Sequence, residues 1–98
     1  MNIGTAIKLI RKEKGLSQKG LAEQCGISVN ALSQIELNAA FPQKNTIKSI
    51  CTALDVPVAY LLFFSINEDD VPQEKRKTFN LLNNAIKELL LDTEEQLI

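Results

Sequence analysis

With 98 residues, 45% of them hydrophobic and 23% charged, the chain has the balance of an ordinary globular domain with an appendage and not that of a disordered polymer. Histidine is absent, which removes histidine-based triads and metal sites, and no glycine-rich phosphate loop occurs, so no enzyme, metal or cofactor is expected. The net charge of −1 conceals an asymmetry: residues 1–64 carry seven basic against four acidic side chains (+3), residues 65–98 four against eight (−4), as expected if only the front meets a polyanion.

Apolar residues recur with a helical period along nearly the whole chain and no alternating strand appears, so the fold class is all-α. The opening residues run, without a small-residue cleavage site, into an amphipathic helix over about 3–14, and no secretory signal is expected. Its inward face holds Ile3, Ala6, Ile7 and Ile10, and Gly15 stops it. Ser17 caps a second helix reaching about Cys25, with Leu21, Ala22 and Cys25 inward. Gly26 turns the chain and Ser28 caps a third helix over about 29–37, with Leu32 and Ile35 inward. Asn38, the non-glycine residue type best suited to a left-handed terminus, follows it.

Residues 38–43 read as a loop that Pro42 keeps from becoming helical. A fourth helix spans about 46–54, with Ile47, Ile50, Cys51 and Leu54 inward, and Pro57 opens a fifth that ends near Phe64. The stretch from Val56 to Phe64 is the longest apolar run and falls far short of the roughly 18–20 residues that span a bilayer, so no membrane partner is expected. Cys25 and Cys51 have apolar neighbours and no metal-type spacing, which predicts reduced core residues of a cytoplasmic protein. An acid-rich linker over 67–72 then leads into a long final helix over about 73–91.

The stretch from Gln18 to Ile35, QKGLAEQCGISVNALSQI, has the pattern of a helix-turn-helix. Two helices crossing steeply through a short turn need a small residue at their approach, which Ala22 supplies, and a residue that accepts positive φ in the turn, which Gly26 supplies. Leu21, Cys25, Leu32 and Ile35 fill the wedge between them.

On these residues the chain resembles the lambdoid-phage repressor and Cro family, also called the XRE family of regulators. The likeness covers residues 4–62 and is carried by Ile10-Arg11, Gly15-Leu16-Ser17-Gln18, Leu21-Ala22, Gly26-Ile27-Ser28, Leu32-Ser33, Ile35-Glu36, Pro42, Thr46-Ile47, Ile50, Ala53-Leu54, Val56 and Leu61. It implies a five-helix repressor-like domain, in agreement with the helices counted from periodicity, that lays helix 3 in the major groove of a double-stranded DNA operator. The chain departs from the family pattern at Asn38, where glycine is usual, at Gln43, where serine is often seen after the proline, and in the low positive charge of residues 38–41. Gly20, inside the second helix, should cost about 1 kcal/mol relative to alanine.

With Leu32 and Ile35 inward, Val29, Asn30, Ser33, Gln34 and Leu37 point outward. Asn30 and Gln34 lie four apart on one helix face, and side-chain amides can bond adenine N6 and N7. Asn30 and Gln34 are therefore the expected base readers, with Val29 meeting a thymine methyl and Ser33 behind them. The competing reading is that short polar residues simply solvate a surface helix. Gln18 opens the second helix, where backbone amides suit a phosphate, and the resemblance makes it a DNA-backbone contact that also supports helix 3. Lys19, Gln43, Lys44 and Asn45 are the other expected phosphate neighbours.

Glu36 near a helix C-terminus opposes the macrodipole, a penalty that shrinks beside a cation. The resemblance implies an internal Arg11–Glu36 ion pair. In the tail, Phe79, Leu82, Ile86 and Leu89 are spaced three, four and three, a seam suited to packing against another helix. That helix either folds back on its own domain or, as favoured by the few base pairs a single recognition helix can read, builds a homodimer. The expected organisation is a DNA-binding domain over 1–64 followed by an acidic linker and dimerisation helix over 65–98. The rival function is a protein-interaction module, such as an antitoxin-type regulator, whose final helix binds a different protein.

Overall fold

The computed structural model describes residues 1–91 as backbone and the side chains through Leu89. Among the described residues the protein is all-helical, with α1 (Ile3–Glu13), α2 (Gln18–Cys25), α3 (Val29–Glu36), α4 (Lys44–Leu54), α5 (Val58–Ser65) and α6 (Arg76–Leu91). The chain divides into two units, one running from Asn2 to Ile66 and one that begins at Asn67 and takes in Met1.

In the first unit the apolar spacing of each helix decides which side it buries. Ile3, Ala6, Ile7 and Ile10 lie on one face of α1, which packs against α5 and α3. α2 packs on both α3 and α4, and α4 in turn meets α5. The core these contacts enclose holds Leu21 and Ala22 from α2, Leu32 and Ile35 from α3, Ile50, Cys51 and Leu54 from α4, and Leu61 and Phe64 from α5. The ring of Phe64 stacks on Tyr60 and meets Phe63 edge to face. The Asn2 N–H donates to the Ser65 carbonyl at 2.8 Å, joining the two ends of the unit.

Helix boundaries follow from caps and from residues that accept left-handed backbone. Ser17 Oγ accepts from the Gly20 N–H (2.9 Å) and Ser28 Oγ from the Ala31 N–H (3.0 Å). Left-handed conformations occur at Gly15, Gly26, Asn38 and Asp55, and Asp55, at φ +57, ends α4 with no cue in the apolar pattern. Three helix starts differ from the sequence expectation. α4 starts at Lys44, two residues early, because Gln43 directly after Pro42 already holds the extended backbone of an N-cap. Pro57 precedes α5 as its N-cap, its ψ of 152° being extended and not helical. The last helix is entered through a 3-10 turn over Gln73–Lys75, so that α6 proper starts at Arg76. Two expected core residues, Cys25 and Ile47, are half-buried.

The second unit contains a 3-10 turn (Glu68–Asp70), the turn preceding α6, and α6 itself. Asn67 Oδ1 accepts from the Asp69 N–H while Asp70 Oδ2 accepts from the Asn67 N–H, a reciprocal cap on the first turn. Asn80 Nδ2 donates to Glu68 Oε2 at 2.8 Å and Arg76 Nε to the Val71 carbonyl at 3.0 Å, tying α6 to its own approach.

Candidate nucleic-acid interface

The pair α2–turn–α3 is built around Gly26, whose φ of +69° lets the chain reverse between the two helices. The Gly26 N–H returns to the Glu23 carbonyl and the Ile27 N–H to that of Ala22, so the end of α2 is closed before Ser28 opens α3. α3 presents two sides of different character. Leu32, Ile35 and Glu36 are buried; Val29 (43% exposed), Asn30 and Gln34 are open to solvent, and Ser33 is half-buried. Asn30 and Gln34 stand one turn apart on the open side, where neighbouring side chains are about 5–6 Å apart at Cβ.

Glu36 is held from two directions. Arg11 Nε donates to Oε2 at 2.8 Å and Nη2 to Oε1 at 3.1 Å, a forked ion pair, while Arg11 Nη1 donates to the Leu16 carbonyl at 2.9 Å. Gln18 Nε2 adds a third bond to Oε1 at 3.2 Å. A carboxylate buried in this way is stable only because all three donors converge on it. The same set of bonds fastens α1 and the first residue of α2 to the last turn of α3. Gln18, Arg11 and Glu36 thus come together as one network.

The remaining candidates sit at two helix starts. Lys19 is exposed in the first turn of α2, and Gln43, Lys44 and Asn45 are exposed at the N-cap and first turn of α4, not in a loop preceding it. Helix starts carry amide N–H groups without intrahelical partners and a partial positive charge, both favourable to anions. In α6, Leu82 (56%), Ile86 (41%) and Leu89 (53%) are exposed and Phe79 is half-buried.

One residue does more than its sequence reading suggested. Asn38 has the left-handed backbone expected of it, with φ +60, but its side chain also reaches α1: Oδ1 accepts from the Gly4 N–H at 2.9 Å and Nδ2 donates to Thr5 Oγ1 at 3.0 Å. Hydrophobic periodicity carries no trace of such a bond. The available signal was the replacement of a usual glycine by a residue with an amide to spend.

Burial pushes the thiols of Cys25 and Cys51 above their ordinary range, Cys51 further through its proximity to Cys25. Among the described residues no group of three or more His, Cys, Asp or Glu side chains could hold a metal ion, and no single helix is long and apolar enough to cross a membrane.

Fold and site together define a helix-turn-helix protein of the repressor type. A family model described as helix-turn-helix matches residues 7–61, more than half of the chain, and the protein belongs to that family. The chain is 35% identical over 74 residues to the uncharacterized HTH-type transcriptional regulator YqaE of Bacillus subtilis, covering 76% of this chain and 64% of the relative. It is 31% identical over 80 residues to the immunity repressor protein of Bacillus phage phi105, covering 82% and 53%. With the HTH-type transcriptional regulator SinR of Bacillus subtilis the identity is 43% over 61 residues, covering 61% and 55%. The matched stretches thus take in between half and two thirds of the length of these relatives.

Proposed function

We propose that the protein is a sequence-specific regulator of transcription, a repressor, that reads a two-fold operator in double-stranded DNA by laying α3 in the major groove of each half-site. The observation that carries this reading is the open side of α3. Val29, Asn30 and Gln34 face solvent on a helix whose other side is fixed by Leu32, Ile35 and the Arg11–Glu36–Gln18 network. Bidentate recognition of adenine needs an amide side chain on a support that does not move, and Asn30 and Gln34 satisfy both conditions. Val29 meets a thymine methyl at the start of the helix, and Ser33 stands behind the amides as an auxiliary contact. Gln18, Lys19, Gln43, Lys44 and Asn45 grip phosphates and set the register.

In this reading residues 1–64 bind DNA and the part from 65 onward pairs two copies, through the α6 seam of Phe79, Leu82, Ile86 and Leu89. An exposed apolar stripe on a helix is unfavourable unless covered, and a second copy supplies the cover; the half-sites such a pair would read lie about 34 Å apart. Relatives named as an immunity repressor and as transcriptional regulators support the same assignment.

Selection of bound sequences from random DNA tests it directly. The expected result is an enriched site with two related halves, bound with an affinity that falls linearly in log–log form as salt rises. Asn30→Ala and Gln34→Ala should each cost about 1–3 kcal/mol of specific binding with the melting temperature unchanged. Failure to enrich any sequence, or variants that bind the enriched site like wild type, would overturn the assignment. The double variant Leu82→Glu with Ile86→Glu should sediment as a monomer. If the variant remains a dimer, the α6 seam is not the dimer interface; if the wild type itself sediments as a monomer, the interaction-module reading replaces the dimer.

A further inference from the structure

We infer that Asn38 is a positioning residue for DNA recognition: its side-chain amide clamps the start of α1 to the end of α3 and thereby fixes the angle at which α3 meets the groove. The inference rests on α3 being the recognition helix.

The backbone at position 38 does not call for an amide. A φ of +60° is cheapest for glycine, so a residue kept only for its backbone would have no use for a side chain. Here both ends of the amide are used, one on the Gly4 N–H and the other on the Thr5 hydroxyl. The Gly4 N–H lies in the first turn of α1, where amides have no acceptor within the helix. Asn2, the N-cap of α1, gives no side-chain bond. Asn38 therefore supplies, from 34 residues away, the cap that the local sequence omits.

The approach that makes this possible is close. Gly4 is buried, and a Cβ at that position would overlap the Ile35 carbonyl oxygen and stand 2.7 Å from Asn38 Oδ1. The backbone of α1 thus lies directly on the last turn of α3. Seven residues further along α1, Arg11 makes its fork with Glu36 of the same turn. Two attachments about 10 Å apart on one rigid helix, both meeting the end of another, constrain tilt as well as distance. The constraint is needed at the far end. α3 is about 12 Å long, so a tilt error of about 5° moves Val29 and Asn30 by about 1 Å, whereas functional constellations tolerate about 0.5 Å.

A cap that merely stabilised α1 would change melting temperature and nothing else, and three substitutions separate the two roles. Asn38→Gly keeps the left-handed backbone and removes both bonds, Thr5→Val removes one acceptor at constant shape, and Thr5→Ser keeps the hydroxyl. Binding is read by fluorescence anisotropy on the operator enriched by wild type and on unrelated DNA, at a temperature where every variant is folded. Asn38→Gly should lose about tenfold on the operator, and Thr5→Val about threefold, with affinity for unrelated DNA and the salt slope unchanged. Thr5→Ser should match wild type, and adding Thr5→Val to Asn38→Gly should cost nothing further, because both remove the same interaction. The clamp is refuted if Asn38→Gly binds the operator like wild type, or if it loses operator and unrelated DNA equally. A wild type that enriches no sequence would instead remove the recognition helix itself, and the clamp's role with it.

Discussion

In the unit running from Asn2 to Ile66, every helix has another helix of the same unit to pack against; in the unit that begins at Asn67, the described residues offer α6 only short turns. The consequence is visible residue by residue. Ile7, Leu21, Leu32, Ile50 and Leu61 are wholly buried, and the buried charges Arg11 and Glu36 satisfy each other. Among the described side chains of α6 the apolar residues Leu81, Leu82, Ile86 and Leu89 are exposed, and the buried one is the polar Asn83, whose Oδ1 finds no hydrogen-bond partner. One region has used its apolar surface to fold, while the other still displays it. Helical periodicity is the same signal in both cases; it marks an amphipathic helix without saying what covers it.

The contrast can be broken most severely at the buried ion pair. Glu36→Ala leaves the Arg11 guanidinium buried without its counter-charge and should cost about 3–5 kcal/mol in urea unfolding. A loss below about 1 kcal/mol would mean that Arg11 escapes to solvent and that the pair does not hold α3. Next in size, Leu32→Ala should cost about 2–5 kcal/mol by opening a cavity. The matching change in α6, Leu81→Ala at a site 73% exposed, should stay within about 0.5 kcal/mol. Equal losses at the two sites would erase the distinction between the units.

Asn83→Leu sharpens the comparison from the other side: removing an unsatisfied buried oxygen should stabilise the chain by about 1 kcal/mol, read as a raised melting temperature. The smallest effect belongs to the thiols, both in the first unit. Because burial raises their pKa values, the folded state favours the neutral thiol. Their stabilisation is complete below the ordinary thiol range and is lost as pH rises through the raised folded values. Melting temperature should therefore fall slightly more between neutral pH and about pH 10 for wild type than for Cys25→Ala with Cys51→Ala. Alkylation of the folded protein at neutral pH should be slow against a free thiol.

The parts of the fold that were legible are those set by short-range pattern. Leu32 and Ile35 fix the phase of α3, so the exposure of Val29, Asn30 and Gln34 could be read from a helical wheel, and the serine caps and Gly26 fixed the ends of α2 and α3. Ser33 came out half-buried because it borders the buried face, a distinction finer than a wheel resolves. Legibility failed where a boundary depends on the tertiary setting of a residue, as at Gln43, which caps α4 through its backbone alone. It failed again where one side chain reaches across the fold, as Asn38 does to Gly4. The early start of α4 matters to the candidate site, since it places Lys44 and Asn45 in the first turn of a helix.

The division of labour within α3 has a consequence for how such a protein can change. Val29, Asn30 and Gln34 are open to solvent, and the bonds that hold α3 in place are made by other residues. Exchanging those three side chains therefore leaves the folding free energy nearly untouched. A lineage could pass through many combinations at these positions without losing the folded chain along the way. The frame persists while its address is rewritten.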